Sequence, residues 1–154
     1  MHTSLFVPRP LPEVFAFFAD ARNLQQITPP WVDFHIVTPL PIGMRPGALI
    51  DYRLKVHGVP VRWRTEISAW QPPGMFVDTQ LKGPYWRWVH THRFRETPGG
   101  TFVEDDVDYA VPGGWPVDRL FVRRDLRAIF LHRQRAILEA FGAEAREPLT
   151  VTFA

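Results

Sequence analysis

Residues 86–111 read WRWVHTHRFRETPGGTFVEDDVDYAV, two runs of strand-forming residues on either side of Pro98-Gly99-Gly100. Folding the stretch symmetrically about that break sets His92 opposite Asp105, His90 opposite Val107, Trp88 opposite Tyr109 and Phe94 opposite Val103. Side chains alternate between faces along a strand, so Trp86, Trp88, His90, His92 and Phe94 share a face with Val103, Asp105, Val107 and Tyr109. The apolar members mark that face as inward. Beyond Pro112-Gly113-Gly114, Trp115-Pro116 lead into a long uninterrupted helical stretch from Val117 to Phe141, ended by Gly142. Val122, Leu126, Ile129, Phe130, Ile137, Ala140 and Phe141 recur on one side of it, and Arg133 lies on the same stripe.

Working back toward the N-terminus, Ile50, Tyr52, Leu54 and Val56 alternate with Asp51, Arg53 and Lys55. After His57-Gly58, Val59, Val61, Trp63, Thr65 and Ile67 alternate with Arg62, Arg64 and Glu66, which completes a hairpin with one wet and one apolar face. Met75 to Leu81 forms a further strand after Pro72-Pro73-Gly74, and Val32 to Thr38 an earlier one. His2 to Val7 is the first strand; Leu11-Pro12-Glu13 opens a short helix through Ala19, and Asn23 to Ile27 a second, stopped by Thr28-Pro29-Pro30. The order predicts an α+β helix-grip fold: a curved antiparallel sheet of six to seven strands around a long C-terminal helix, with two short helices after the first strand. Residues 1–142 are read as one ligand-binding domain and 143–154 as a C-terminal tail, either loose or a final extended segment.

With 154 residues, 45% of them hydrophobic and 22% charged, the chain suits one globular core and is too apolar for disorder. Six Trp and twelve Phe exceed what a small core needs, and aromatic side chains line ligand cavities as well as cores. The absence of cysteine removes disulfides, thiolate metal sites and a Cys nucleophile. The N-terminal MHTSLFVPRP lacks a basic segment leading into an apolar one, and no apolar run approaches the roughly 20 residues of a membrane span, so a cytoplasmic protein without integral membrane association is expected. The cations are nearly all arginine and scattered among acids; Arg119, Arg123, Arg124 and Arg127 are interrupted by Asp118 and Asp125, which reads as a solvated helix face and not a nucleic-acid surface. No Gly-rich phosphate loop joins a strand to a helix, and no cofactor is implied.

This order of elements resembles the START-like superfamily, which includes pollen allergens, polyketide cyclases and coenzyme Q-binding proteins, and in particular its bacterial ligand-binding (SRPBCC-type) members. The segments similar to that superfamily are Phe15 to Asp20 with Asn23-Leu24 and Thr28-Pro29-Pro30, Trp88 to Phe94, Val103 to Tyr109 before Pro112-Gly113, and Phe130 with Arg133. The resemblance covers nearly the whole chain through aromatic and strand-polar motifs, which specify fold better than chemistry. It implies a hydrophobic cavity between sheet and helix, of the kind that carries lipids, sterols, quinones or polyketides and in some branches catalyses.

On this reading Tyr52, Leu54, Trp63, Thr65, Trp88, Tyr109, Leu126 and Phe130 line the pocket, or else are plain core, and His90, His92, Asp105 and Arg133 form its polar part. A buried carboxylate needs a partner, so Asp105 with His92 or Arg133 serves as a structural network, as a ligand-binding polar end, or as both. A catalytic version has His92, oriented by Asp105, acting as general base on a polyketide-like substrate, with Tyr109 or Arg133 steadying an enolate. His90 and His92 with Asp105 offer three donors for a metal, but no fourth is visible, and no metal is expected. Trp86, Trp115, Phe121 and Met44 are candidates for the pocket mouth. The two functions that follow are binding or transport of a hydrophobic small molecule, and a cofactor-independent cyclase or dehydratase using the His-Asp pair.

Overall fold

Pro8 and Pro10 cannot extend a ladder, so strand β1 (His2–Val7) gives way to helices α1 (Leu11–Ala19) and α2 (Ala21–Ile27) in the computed structural model, which describes residues 1–154. Asp20 caps α2 by accepting from the Arg22 backbone N–H. The strand expected over Val32 to Thr38 shrinks to β2 (His35–Ile36). Its first residues are taken by a 3-10 turn at Pro30–Val32, and Asp33 follows with a left-handed φ of 48°, which breaks extended structure.

The remaining strands are β3 (Leu49–Val56), β4 (Val59–Gln71), β5 (Met75–Lys82), β6 (Arg87–Thr97) and β7 (Gly100–Ala110). They form one antiparallel sheet in the order β1-β7-β6-β5-β4-β3-β2. The β6–β7 register is the one that symmetric folding gives, with His92 facing Asp105 and Trp88 facing Tyr109. At the β3–β4 turn both central residues have positive φ, 50° at His57 and 80° at Gly58, the geometry that matches the twist of a tight hairpin. Register shifts at Arg64/Thr65 and Ile67/Ala69 bend the long β4.

The C-terminal helix departs from the uninterrupted helix expected over Val117 to Phe141. It begins earlier, as α3 (Gly114–Val117), passes through a π-helical turn at Asp118–Val122, and continues as α4 (Arg123–Ala140). Asp118 accepts hydrogen bonds from the Tyr109 hydroxyl at 2.7 Å and from Arg123 Nε at 2.7 Å, which fixes the wide turn against the end of β7. The buried row on α4 is Leu126, Phe130, Gln134, Ile137 and Leu138, continued by Phe141; Ala140 falls to the side of this row and is exposed.

Two of the three apolar clusters include residues of α4. One joins α1, β1, β7 and the C-terminal half of α4 through Val7, Val14, Phe15, Val103, Ile137 and Phe141; the other joins Val107, Leu126, Phe130 and Val151. Residues 143–154 run back along β1, where Thr152 exchanges backbone hydrogen bonds with His2 and Val151 is buried. No helix is long and apolar enough to cross a membrane.

Candidate functional site

Under the N-terminal half of α4 the sheet does not close on the helix. A cavity of about 550 Å³ lies there, bounded by β3 to β6, α2 and α4, and lined mainly by apolar side chains. Its wall is a run of aromatic rings. Tyr52 stacks on Trp63 at 5.9 Å and 17°, Phe34 lies 4.8 Å from Tyr52, and Trp88 stands edge-on to Trp63 at 5.4 Å, with Tyr85 against both, 4.7 Å from Trp88 and 5.6 Å from Trp63. The buried Thr65 hydroxyl explains the placement of a polar residue on this face. It bonds the Tyr52 hydroxyl at 2.8 Å and accepts from Trp63 Nε1 at 3.0 Å, so the polar tips satisfy each other and leave the ring faces to the cavity. Burial drives the Tyr52 phenol well above its ordinary range, so it remains neutral.

Of the residues singled out by sequence, Tyr52, Leu54, Trp63, Thr65, Trp88, His90, His92, Leu126, Phe130 and Arg133 reach the cavity. Asp105 and Tyr109 do not. Asp105 lies behind the histidines, and the Tyr109 hydroxyl is spent on Asp118. The mouth also differs from expectation. Trp86, Trp115 and Phe121 are largely solvent-exposed and off the lining, because the β5–β6 loop, α3 and the π turn respectively carry them outward, while Met44 packs on the Ala48–Ile50–Ile67 cluster. The lining reaches the surface instead at the β3–β4 tip, where His57 Nε2 meets Asp125 Oδ2 of α4 at 2.6 Å.

At the polar side of the cavity two histidines stack with ring centroids 3.8 Å apart. Strand pairing delivers a carboxylate to each side of them: Asp78 on β5 is the Cα partner of His90, and Asp105 on β7 that of His92. Asp78 Oδ2 lies 2.8 Å from His92 Nε2 and 3.5 Å from His90 Nδ1. Asp105 Oδ1 lies 3.0 Å from His90 Nε2 and 2.8 Å from His92 Nδ1, although the last contact is too poorly aligned to be a hydrogen bond. Arg133 Nε stands 4.0 Å from Asp105 Oδ2 and makes no hydrogen bond; its guanidinium faces the Phe18 ring at 5.6 Å.

Burial alone would raise both carboxyls. The hydrogen bond from His90 and the close His92 ring overcome it and hold Asp105 well below the ordinary carboxylate value, and the His90 charge interaction with the His92 hydrogen bond lowers Asp78. Burial and the neighbouring His92 charge push His90 down toward its neutral form. For His92, burial is outweighed by the close Asp105 carboxylate and the hydrogen bond to Asp78, and its cation is favoured. Two carboxylates thus face two cations, His92 and Arg133, and the cluster balances.

Asp78 is the member that sequence reasoning missed. The signal was present in Phe76, Asp78 and Gln80, which alternate on β5 as Trp88, His90 and His92 do on β6. As to metal ligands, the third donor beside the histidines is Asp78 and not Asp105: one ligand atom each from Asp78, His90 and His92 lies within 4.8 Å of the others.

Comparison with known proteins agrees with this architecture. The sequence model of the family described as polyketide cyclase / dehydrase and lipid transport matches residues 7–138. Among solved structures, Ara h 8.0201 is similar at 16% identity and a TM-score of 0.68, over 92% of this chain and 95% of that one. Protein CV1439 from Chromobacterium violaceum is similar at 11% identity and a TM-score of 0.71, over 91% and 95%. A nucleoside-diphosphate sugar epimerase from Corynebacterium glutamicum is similar at 22% identity and a TM-score of 0.67, with 92% of this chain spanning only 29% of that protein. These identities speak to the fold alone. A search by sequence among curated proteins gave no match.

Proposed function

The chain belongs to the polyketide cyclase / dehydrase and lipid transport family, and from that premise we propose that it binds and carries a hydrophobic small molecule, flat and bearing an oxygen function, between its sheet and α4. Lipids with a ring headgroup, quinones and aromatic polyketides have this chemistry. The observation that carries the reading is the aromatic wall of a cavity of about 550 Å³, within the size range of small-molecule sites. Tyr52 and Trp63 have their polar tips satisfied by Thr65, so what they offer a ligand is ring face, which favours a planar apolar partner over a sugar or nucleotide. At the other side, Arg133 Nε is buried without a hydrogen bond, a donor suited to a ligand carbonyl or hydroxyl.

Native mass spectrometry of the purified protein, with organic extraction of whatever accompanies it, is the direct test. One apolar ligand per chain is expected, along with quenching of Trp63 and Trp88 fluorescence when an emptied protein is titrated with quinones or aromatic polyketides. An empty protein that leaves its tryptophan emission unchanged across lipids, quinones and polyketides would sink the reading. Chemical conversion of the bound compound would replace carriage with catalysis.

A further inference from the structure

In the His90–His92–Asp78–Asp105 cluster, Asp105 engages His90 Nε2 at 3.0 Å, while His90 Nδ1 faces the Asp78 carboxylate, 3.5 Å away, without a hydrogen bond between them. A ring nitrogen and a carboxylate oxygen that meet as acceptors in a buried site repel.

We propose that Asp78, His90 and His92 are ligands for a divalent first-row transition-metal ion at the floor of the cavity, and that Asp105 orients both histidines from behind. One ligand atom each from Asp78, His90 and His92 lies within 4.8 Å of the others, and all three residues line the cavity wall. Their separations from Asp78, 2.8 and 3.5 Å, bracket the roughly 3 Å between neighbouring ligands when metal–ligand bonds are about 2.0–2.1 Å. A cation there turns the acceptor pair from a repulsion into two bonds.

The opposite ring nitrogens, His90 Nε2 and His92 Nδ1, both face Asp105 Oδ1. A carboxylate behind a ligating histidine fixes its tautomer and ring plane, and here one carboxylate serves both rings. Thr3 Oγ1 donates to Asp105 Oδ2 at 3.5 Å, and Arg133 Nε stands 4.0 Å from the same oxygen. The ligands stand on adjacent central strands, β5 and β6, so the site is rigid before any metal arrives. Two imidazoles and a carboxylate suit zinc, iron, cobalt or nickel better than calcium or magnesium.

Charge also gives the class of the remaining ligand. A divalent ion with Asp78, Asp105, Arg133 and two neutral histidines carries a net charge of one positive, which an oxygen anion balances. The open coordination positions face the cavity, where an enolate, a phenolate or a hydroxide fits.

The test uses the full chain, stripped with a chelator and titrated with Co2+ while ligand-field absorption is followed, then challenged with Zn2+. The expected result is one Co2+ per chain, displaced by Zn2+, with a higher melting temperature in the metal-loaded protein. Asp78→Asn, nearly the same shape, is expected to weaken binding at least 100-fold, and Asp105→Asn about 10- to 100-fold with the absorption retained at saturation. If Asp78→Asn fails to give a folded circular dichroism spectrum, His92→Gln takes its place. No stoichiometric Co2+ in the wild-type chain, or binding that the ligand substitution leaves unchanged, overturns the proposal. The titration needs no apolar ligand, so it succeeds or fails separately from the carrier reading.

Discussion

One helix, α4, covers two interiors of opposite kind. Its C-terminal half seats Ile137, Leu138 and Phe141 among Leu5, Val7, Val14, Phe15, Phe94 and Val103, in close-packed contact. Its N-terminal half holds Leu126, Ile129 and Phe130 over the 550 Å³ cavity. Both halves present an apolar stripe to the same sheet, so hydrophobicity does not separate them. What separates them is the filler. Under the C-terminal half, α1 inserts Phe15, whose ring lies 5.2 Å from Phe94 and 5.2 Å from Trp70. Under the other half the aromatic rings of β3, β4 and β6 stack along the sheet, and nothing is inserted between them and the helix.

The difference is measurable as the cost of truncation at each end. Phe15→Ala removes the filler itself and is expected to cost about 3–5 kcal/mol in urea unfolding, among the largest effects of any single truncation here. Asp105→Ala, at the boundary between the two interiors, strips both histidines and Arg133 of a shared carboxylate. Leaving buried charge uncompensated is expected to cost about 3 kcal/mol. Leu126→Ala, under the open half, is expected to cost only about 2 kcal/mol, because a void already adjoins the side chain and little new cavity is created. In exchange it should weaken apolar-ligand binding, which Phe15→Ala should alter far less in those molecules that fold. A Leu126 cost equal to that of Phe15 would mean that the cavity closes in solution, and the comparison would fail.

Much of this contrast was legible in the sequence, and for identifiable reasons. The short Pro98-Gly99 turn fixes the β6–β7 pairing by symmetry, so the facing of His92 and Asp105 followed from counting. The stripe from Leu126 to Phe141 announced a helix laid on a sheet. Asp78 was not legible in the same way, because β5 meets β6 through the wider Gly83–Trp86 loop, which gives no symmetric register to count from. Nor could spacing show that Tyr109 reaches Asp118. That contact exists because the helix widens into a π turn, a local departure that an average helical period hides. Whether the aromatic residues were core or cavity wall also depended on the distance between layers, which no periodicity encodes.

The smallest expected effect on stability tests the open half at its edge. His57 sits at the β3–β4 tip with a positive φ of 50°, a conformation that costs a β-carbon-bearing residue and that glycine adopts freely. Its ring reaches Asp125 on α4 across the place where the cavity lining meets solvent, through an exposed contact that water and salt weaken. His57→Gly relieves the backbone and loses the contact, two small terms of opposite sign, so stability should stay within about 0.5 kcal/mol of the wild type. Ligand release, followed by stopped-flow fluorescence, should nonetheless quicken, because the only polar tie between the tip and α4 is gone. An unchanged release rate would place the exit elsewhere, for instance beside Leu24 and Trp31, which also border the cavity. A large loss of stability would mean that the tip supports the core, and the division between a packed and an open half would then run along a different line from the one drawn by α1.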